Sequence, residues 1–360
     1  MLTVTTSEQT TAGGYRLNIM VSNVPHDRPV QLNITLNDAA CMQPGPLLLT
    51  QWVAEFIGSC QSGRRLKCNG SGAISPSTVK SYKGTLAQIV AYEQCRGRRL
   101  TLADMSMAFY NDWKLFFAAK DYSPNTVGRH VRNLKIFLFA AEERQLSVCP
   151  DFKSRRFAVV RRDADAVALT AGQVQQLYEY DAPRRTLQEA KDVFVVGCLT
   201  GQRISDFKRI CRDMEVTLAD GRSYLRLTQQ KTRKTVYIPL EPRIRAILDR
   251  YGGRLPAVDD ASLNRRIKAV CRLLGWTHAC SGDANGRPPA DARQQRPLCD
   301  CVTSHTARRS YATIAYRHGV PLSCIMAVTG HSTEQMLRRY LRIDGQERAM
   351  TAARIMSLTA

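Results

Sequence analysis

Thr200-Gly201-Gln202-Arg203-Ile204-Ser205-Asp206 directly follows the apolar run Val193-Phe194-Val195-Val196-Gly197-Cys198-Leu199. The run reads as a helix of apolar residues, and the T-G-x-R-x-S stretch as a helix end closed by a glycine. Downstream, Tyr224-Leu-Arg-Leu-Thr-Gln-Gln-Lys231 and Thr235-Val-Tyr-Ile-Pro-Leu240 read as two strands around a short Thr232-Arg233-Lys234 turn, with Lys231 eight residues before Pro239. Further on stand His305-Thr306-Ala307-Arg308, then Gly330-His331, with Tyr340 nine residues after that histidine. Each fragment alone is weak, because H-x-x-R is common by chance. Their order and spacing are much harder to obtain by coincidence.

The chain of 360 residues exceeds a single typical core and suits two domains with a shorter extension. No apolar run approaches the ~20 residues of a membrane span. The opening MLTVTTSEQTTAGG lacks the charged start and apolar stretch of a secretory signal, which predicts a cytoplasmic protein, and the basic charge adds an expected association with the nucleoid. The cysteines, 12 in number, then face a reducing compartment, and those inside apolar runs, such as Cys198 and Cys271, are expected to behave as small hydrophobes. His278, Cys280, Cys299 and Cys301 crowd together, but the one-residue gap in Cys299-Asp300-Cys301 suits zinc poorly. Lys and Arg outnumber Asp and Glu by 52 to 31, a net charge of +21. Such a field attracts polyanions, and a nucleic acid is the partner it favours, with a ribosomal or membrane surface as the other classes that charge alone permits.

Residues 1 to 44 alternate polar and apolar over Tyr15–Val21 and Val30–Leu36, as a small hairpin or a partly ordered tail would. From Leu47 to Leu146 the pattern is helical, giving an expected helical domain over 45–150. Within it Ser75-Pro76-Ser77-Thr78-Val79 recurs as Ser123-Pro124-Asn125-Thr126-Val127. Both copies open a helix: serine supplies an N-cap oxygen, proline suits the first helical position, and first-turn amides can hold a phosphate. Ser75, Thr78, Lys80 and Lys83 in the first copy, and Thr126, Arg129, His130 and Arg132 in the second, are therefore candidate DNA contacts. Residues 151–166 carry Lys153, Arg155, Arg156, Arg161 and Arg162 with little periodicity and read as a basic linker, Arg155 and Arg156 being further candidate contacts. A mixed, mainly helical domain is expected over 167–360, with a surface loop at 277–300 and a short amphipathic helix from Gln346 to Met356. The fold class is thus mainly α with a small β-sheet.

Taken together, the T-G-Q-R-I-S-D stretch, Lys231, H-T-A-R, and G-H with its following tyrosine resemble the tyrosine recombinases, over residues 46 to 350. The resemblance implies a helical core-binding, SAM-like domain followed by an α+β catalytic domain, and site-specific integration or excision of a mobile element by DNA cleavage and rejoining through a 3′-phosphotyrosine. No residue of the family's set is missing. The side-chain types fit this chemistry independently. Breaking a phosphodiester puts extra charge on non-bridging oxygens, and forked guanidinium donors match that geometry, so Arg203 and Arg308 would clamp the phosphate, with His331 as a third donor. A tyrosine phenol ordinarily titrates near ~10, so Tyr340 as nucleophile needs a base or cationic neighbours. The resemblance assigns His305 to that base or orienting role, and Lys231, on a hairpin tip, to the general acid that protonates the leaving 5′ oxygen; Lys234 lies across the same turn as the alternative. No acidic cluster suited to magnesium accompanies the motifs, and the resemblance implies neither metal nor other cofactor.

The partners implied are double-stranded DNA with specific recombination sites, three further copies of the chain in a homotetramer on paired sites, and accessory DNA-bending or directionality factors. The apolar residues after Tyr340 (Ile343, Met350, Ile355, Met356 and Leu358) are expected to dock on a neighbouring protomer. Residues 1–44 are short for an arm-binding domain. Two alternatives share parts of the pattern: a type IB topoisomerase, which uses the same tyrosine without exchanging strands, and a DNA-binding protein that has kept the fold and lost catalysis.

Overall fold

The computed structural model describes residues 3–11, 14–22 and 30–37 in their backbone, then 47–67, 72–161, 167–280 and 296–341, with a few positions beyond. Strands β1 (Thr3–Thr11), β2 (Gly14–Ser22) and β3 (Val30–Asn37) form an antiparallel sheet in that order. The sequence pattern covered the second and third strands; the first, rich in Thr and Ser, carries little apolar alternation. The chain then divides into two compact units, Met1–Tyr122 with Thr126–Val159, and Ser123–Asn125 with Val160–Ala360.

The first unit holds α1 (Leu49–Gln61), α2 (Pro76–Arg96), α3 (Met107–Ala119) and α4 (Pro124–Glu143). Ser75 caps α2 by accepting from the Thr78 amide at 3.3 Å, with Pro76 at the first helical position, and Ser106 caps α3 in the same way. The core is aromatic. Phe56, Tyr82 and Phe137 meet edge to face, and the buried Trp52 donates its indole N–H to the Phe137 carbonyl at 2.9 Å. Lys80, Lys83, Arg129, Arg132, Arg155 and Arg156 are exposed, while Ser75, Thr78 and Thr126 are half-buried at the helix starts.

His130 departs from the expectation of a DNA-facing cation. Its ring is buried, stacked on Phe117 at 5.3 Å, with Nδ1 2.9 Å from Thr85 Oγ1. Burial, aided by the charge of Arg129, lowers its pKa to about 4, so it is a neutral packing residue that ties α4 to α2. The segment after α4 also differs from a free linker over its first half. Phe152 and Phe157 are wholly buried in this unit's core, and the Phe157 carbonyl accepts from Lys135 Nζ at 2.9 Å. Two aromatic side chains fix this basic stretch to the helices; Arg162 lies outside the described residues.

The second unit is built on α6 (Arg185–Thr200), preceded by α5 (Ala171–Glu179). Residues 190–198 of α6 are buried on every side, so this helix is the centre of the core rather than one of its walls. It ends at Gly201, whose φ of +65° is the left-handed cap a glycine supplies without strain. A short helix α7 (Ile204–Phe207) follows, then the sheet β4 (Glu215–Thr217), β5 (Ser223–Thr228) and β6 (Thr235–Pro239), antiparallel in that order. Leu225, Leu227, Val236 and Ile238 alternate inward onto the core. Next come α8 (Pro242–Arg250), α9 (Asp260–Leu273), the short pair β7 (Ala279–Cys280) and β8 (Arg296–Pro297), and α10 (Leu298–Cys301). The unit finishes with α11 (Ser304–Arg317), α12 (Leu322–Thr329) and α13 (Glu334–Arg338). The loop residues 281–295 and most of 342–360, including Ile343, Ile355 and Leu358, lie outside the described residues.

A buried ion pair, Lys191 with Asp192, sits inside this core. Lys191 Nζ lies 3.0 Å from Asp192 and donates to the carbonyls of Tyr178 and Tyr180, while Asp192 accepts from Arg250 at 2.7 Å and from the Tyr251 hydroxyl at 2.8 Å. Every member has partners, as buried ions require.

Candidate active site

Three segments of the second unit converge on one place: the corner between α6 and α7, the turn between β5 and β6, and the stretch from α11 to Tyr340. Arg203 leaves the corner as the N-cap residue of α7, half-exposed, and its Nη1 reaches Gln229 Oε1 at 3.3 Å. Arg308, on the first turns of α11, is wholly buried. Its Nη1 donates to the Gly201 carbonyl at 3.0 Å and to the Thr329 carbonyl at 2.6 Å, and its Nη2 lies 3.0 Å from His331 Nε2.

A guanidinium only donates, so His331 Nε2 must be the acceptor and the imidazole is neutral, with its proton on Nδ1. That proton points at Thr329 Oγ1, 2.7 Å away, whose own hydroxyl donates to the Ile325 carbonyl. Burial first, then the charges of Arg308 and Arg203, push the His331 pKa down to about 3, in agreement with this tautomer. His331 therefore holds Arg308 here, where the sequence reading expected a third donor to a phosphate. Burial and the nearby Arg203 lower Arg308 itself to about 10, which leaves it cationic at neutral pH. Among the described residues its buried Nε–H has no hydrogen-bond partner. A charged donor left unpaired inside a protein is costly, and an anionic ligand oxygen is the natural group to satisfy it.

Tyr340 is placed by a small apolar cluster. Leu337 and Leu341 on either side of it pack into Ala312 and Ile325, and the Tyr340 amide closes a turn onto the Leu337 carbonyl at 2.7 Å. Its half-buried ring lies 5.0 Å from the His305 ring and 4.8 Å from that of His331, with the guanidinium carbons of Arg308 and Arg309 at 5.8 and 5.6 Å. His305 is partly open to solvent. Desolvation by its neighbours and then the charges of Arg309, Arg308, Arg203 and Lys231 bring its pKa down to about 4; for a ring this exposed the four cations are the firmer cause.

Lys231 and Lys234 are both exposed on the β5–β6 turn. The first strand ends three residues earlier than its apolar pattern suggests, at Thr228, because Gln229 turns its side chain into the site and Arg233 takes a left-handed φ of +57°. Asp206 accepts from the Gln230 amide at 2.8 Å and pins the root of this turn to α7. Gln202, Asp206, Gln229, Arg309 and Thr329 are thus parts of the site that motif reading passed over. Each adjoins or lies within a motif, but a glutamine or threonine has no spacing signature of its own.

Gly330 has a φ of +71°, and a Cβ placed there would fall inside the Gln229 amide. Gly330→Ala is expected to lower the melting temperature, since the backbone strain alone costs about 1–2 kcal/mol, and to slow any chemistry that depends on Arg203. Differential scanning fluorimetry checks the first part; an unchanged melting temperature would mean the loop relaxes freely.

Among the described residues no group of three or more His, Cys, Asp or Glu side chains is arranged to hold a metal ion. In the cysteine cluster Cys299 and Cys301 are buried, and burial together with Cys280 pushes the Cys301 thiol up to about 12. No described helix is long and apolar enough to cross a membrane.

Residues 62–151 match the phage integrase SAM-like domain family. No curated protein matches the chain in sequence. Among solved structures, the Tn1549 transposon integrase in complex with a circular intermediate DNA is similar at 15% identity, TM-score 0.60, over 86% of this chain and 99% of that one. XerH site-specific recombinase bound to a palindromic difH substrate is similar at 14% identity, TM-score 0.57, over 86% of this chain and 96% of that one. A lambda integrase tetramer bound to a Holliday junction is similar at 16% identity, TM-score 0.59, over 83% and 78%. The helical domain and the α+β domain of this chain therefore have the fold of the integrases and site-specific recombinases.

Proposed function

We propose that this chain is a site-specific DNA recombinase that cuts and rejoins strands through a covalent tyrosyl–DNA intermediate. The observation that carries the reading is the setting of Tyr340: one phenol ringed by two neutral histidines and cationic arginines, Arg308 among them with a buried Nε–H that has no partner among the described residues. In this reading Tyr340 Oη attacks phosphorus while the P–O5′ bond breaks. Arg203 and the spare Nε–H of Arg308 neutralise the charge gathering on the non-bridging oxygens. His305, neutral because of its cationic surroundings, accepts the phenolic proton, and Lys231 gives a proton to the departing 5′ oxygen. The phosphotyrosine conserves the bond energy, so the same groups run the reaction backwards onto a new 5′ hydroxyl.

The exposed Lys80, Lys83, Arg129, Arg132, Arg155 and Arg156 and the net charge of +21 support a duplex as substrate. Exchange between two duplexes needs four cuts and each chain has one Tyr340, so a homotetramer on paired sites follows by stoichiometry; the similar lambda integrase was seen as a tetramer on a Holliday junction. The reading is tested by incubating the protein with two duplexes bearing a site selected by the protein itself and looking for recombinant products. Relaxation of supercoils with no exchange would mark a topoisomerase; binding with no covalent adduct would mark an inert DNA-binding protein.

The base assignment predicts a pH profile. With its pKa lowered to about 4, His305 stays neutral as pH falls through the ordinary histidine value of 6.5 and loses its function only as pH nears 4. The value of kcat/KM for cleavage, which reports the free enzyme, should therefore show no acid limb near 6.5. A limb centred there would assign the base elsewhere.

A further inference from the structure

Gln229 is wholly buried beneath an exposed turn, with both ends of its amide engaged. Its Oε1 accepts from Arg203 Nη1 at 3.3 Å and from Thr232 Oγ1 at 2.6 Å, and its Nε2 donates to Gln202 Oε1 at 2.7 Å and to the Thr329 carbonyl at 2.9 Å. These partners belong to three separate segments: the α6–α7 corner, the β5–β6 turn that carries Lys231, and the end of α12 next to His331. The partners also dictate the side chain. One end faces two donors and the other two acceptors, so a carboxylate would oppose the Thr329 carbonyl and an apolar residue would leave buried groups unpaired. Gly330 fits the same account, because only a residue without a Cβ lets the His331 loop close on this amide.

We infer that Gln229 is a positioning residue that sets the Arg203 guanidinium and the lysine-bearing turn in one register with the His331 loop. Phosphate clamping and leaving-group protonation are then aligned by a single buried amide. This rests on the functional reading above.

The test uses the full chain and a duplex it selects from a randomised pool, with the scissile position mapped from its covalent adduct. Single-turnover cleavage is measured on the ordinary duplex and on one with sulphur in place of the bridging 5′ oxygen. In both cases the Tyr340 Oη–P bond forms; in the second the P–S bond breaks and sulphur departs as a thiolate, which needs no proton from an acid. Thr232→Val, a change on the half-buried turn that leaves the core intact, should slow cleavage of the oxygen substrate ~10-fold and spare the sulphur substrate. Gln229→Leu should slow the oxygen substrate ~10²-fold and recover only in part with sulphur, because Arg203 has also lost its rest. Duplex affinity should be nearly unchanged in both. Parent-like cleavage by Gln229→Leu, or a Thr232→Val defect equal on the two substrates, would overturn the assignment; if Gln229→Leu does not fold, the Thr232→Val comparison decides. A parent chain that forms no adduct with its selected duplex overturns the functional reading and this role with it, whereas a cleaving parent matched by both variants overturns the positioning role alone.

Discussion

Tyr340→Phe is expected to bind duplex DNA as the parent does and to form no covalent complex with it. The change removes one oxygen and no charge. The Phe ring keeps the contacts that seat it between His305 and His331, and Leu337 and Leu341 still fix the backbone on either side. Melting temperature should therefore stay within a few degrees, since the hydroxyl adds little to a ring already packed. A denaturing gel of labelled duplex separates the outcomes: a band shifted by the mass of the protein in the parent and none in the variant. If the Phe variant still forms that band, the nucleophile is another residue and the proposed mechanism fails.

The second large effect separates the two arginines. Arg203→Ala should lower the cleavage rate by at least ~10², as loss of a transition-state donor does, with a smaller change in affinity and little change in stability. Arg203 is half-exposed and makes one long hydrogen bond, to Gln229. Arg308→Ala should lose at least as much rate and also stability, because the Gly201 and Thr329 carbonyls and His331 Nε2 would all lose their donor inside the protein. Each buried acceptor left unpaired costs about 1–3 kcal/mol, so a drop of several kcal/mol is expected. Urea denaturation beside single-turnover cleavage distinguishes them. Affinity losses as large as the rate losses would make both arginines ordinary phosphate contacts.

Other readings failed or succeeded for identifiable reasons. His130 follows the second Ser-Pro start among basic residues, and nothing in the sequence says which face of α4 it occupies; the structure turns it onto Phe117 and Thr85. The basic stretch after Asp151 lacks helical period and so reads as linker, yet Phe152 and Phe157 bury themselves in the core. An aromatic pair five residues apart, the first in a single 3₁₀ turn over Pro150–Lys153, has no periodic signal to betray it. His331 was legible as a site residue, but not as an acceptor for Arg308, since a tautomer is set by neighbours distant in sequence.

The helical character of both units, the small sheet between helices, the excess of positive charge, and the candidate set Arg203, Lys231, His305, Arg308, His331 and Tyr340 were legible along the chain alone. These were readable because periodicity and motif spacing are local along the chain, and because the residue types match what a charged phosphorus centre demands. How those residues are held follows from contacts made in three dimensions. Arg308 is committed to two carbonyls and a neutral histidine, desolvation and four neighbouring cations lower the pKa of His305, and Gln229 joins segments more than twenty residues apart on either side of it. Hydrogen-bond partnership and desolvation depend on which atoms meet in space, and an amide or a glycine without a motif of its own acquires its role only when the chain has folded around it.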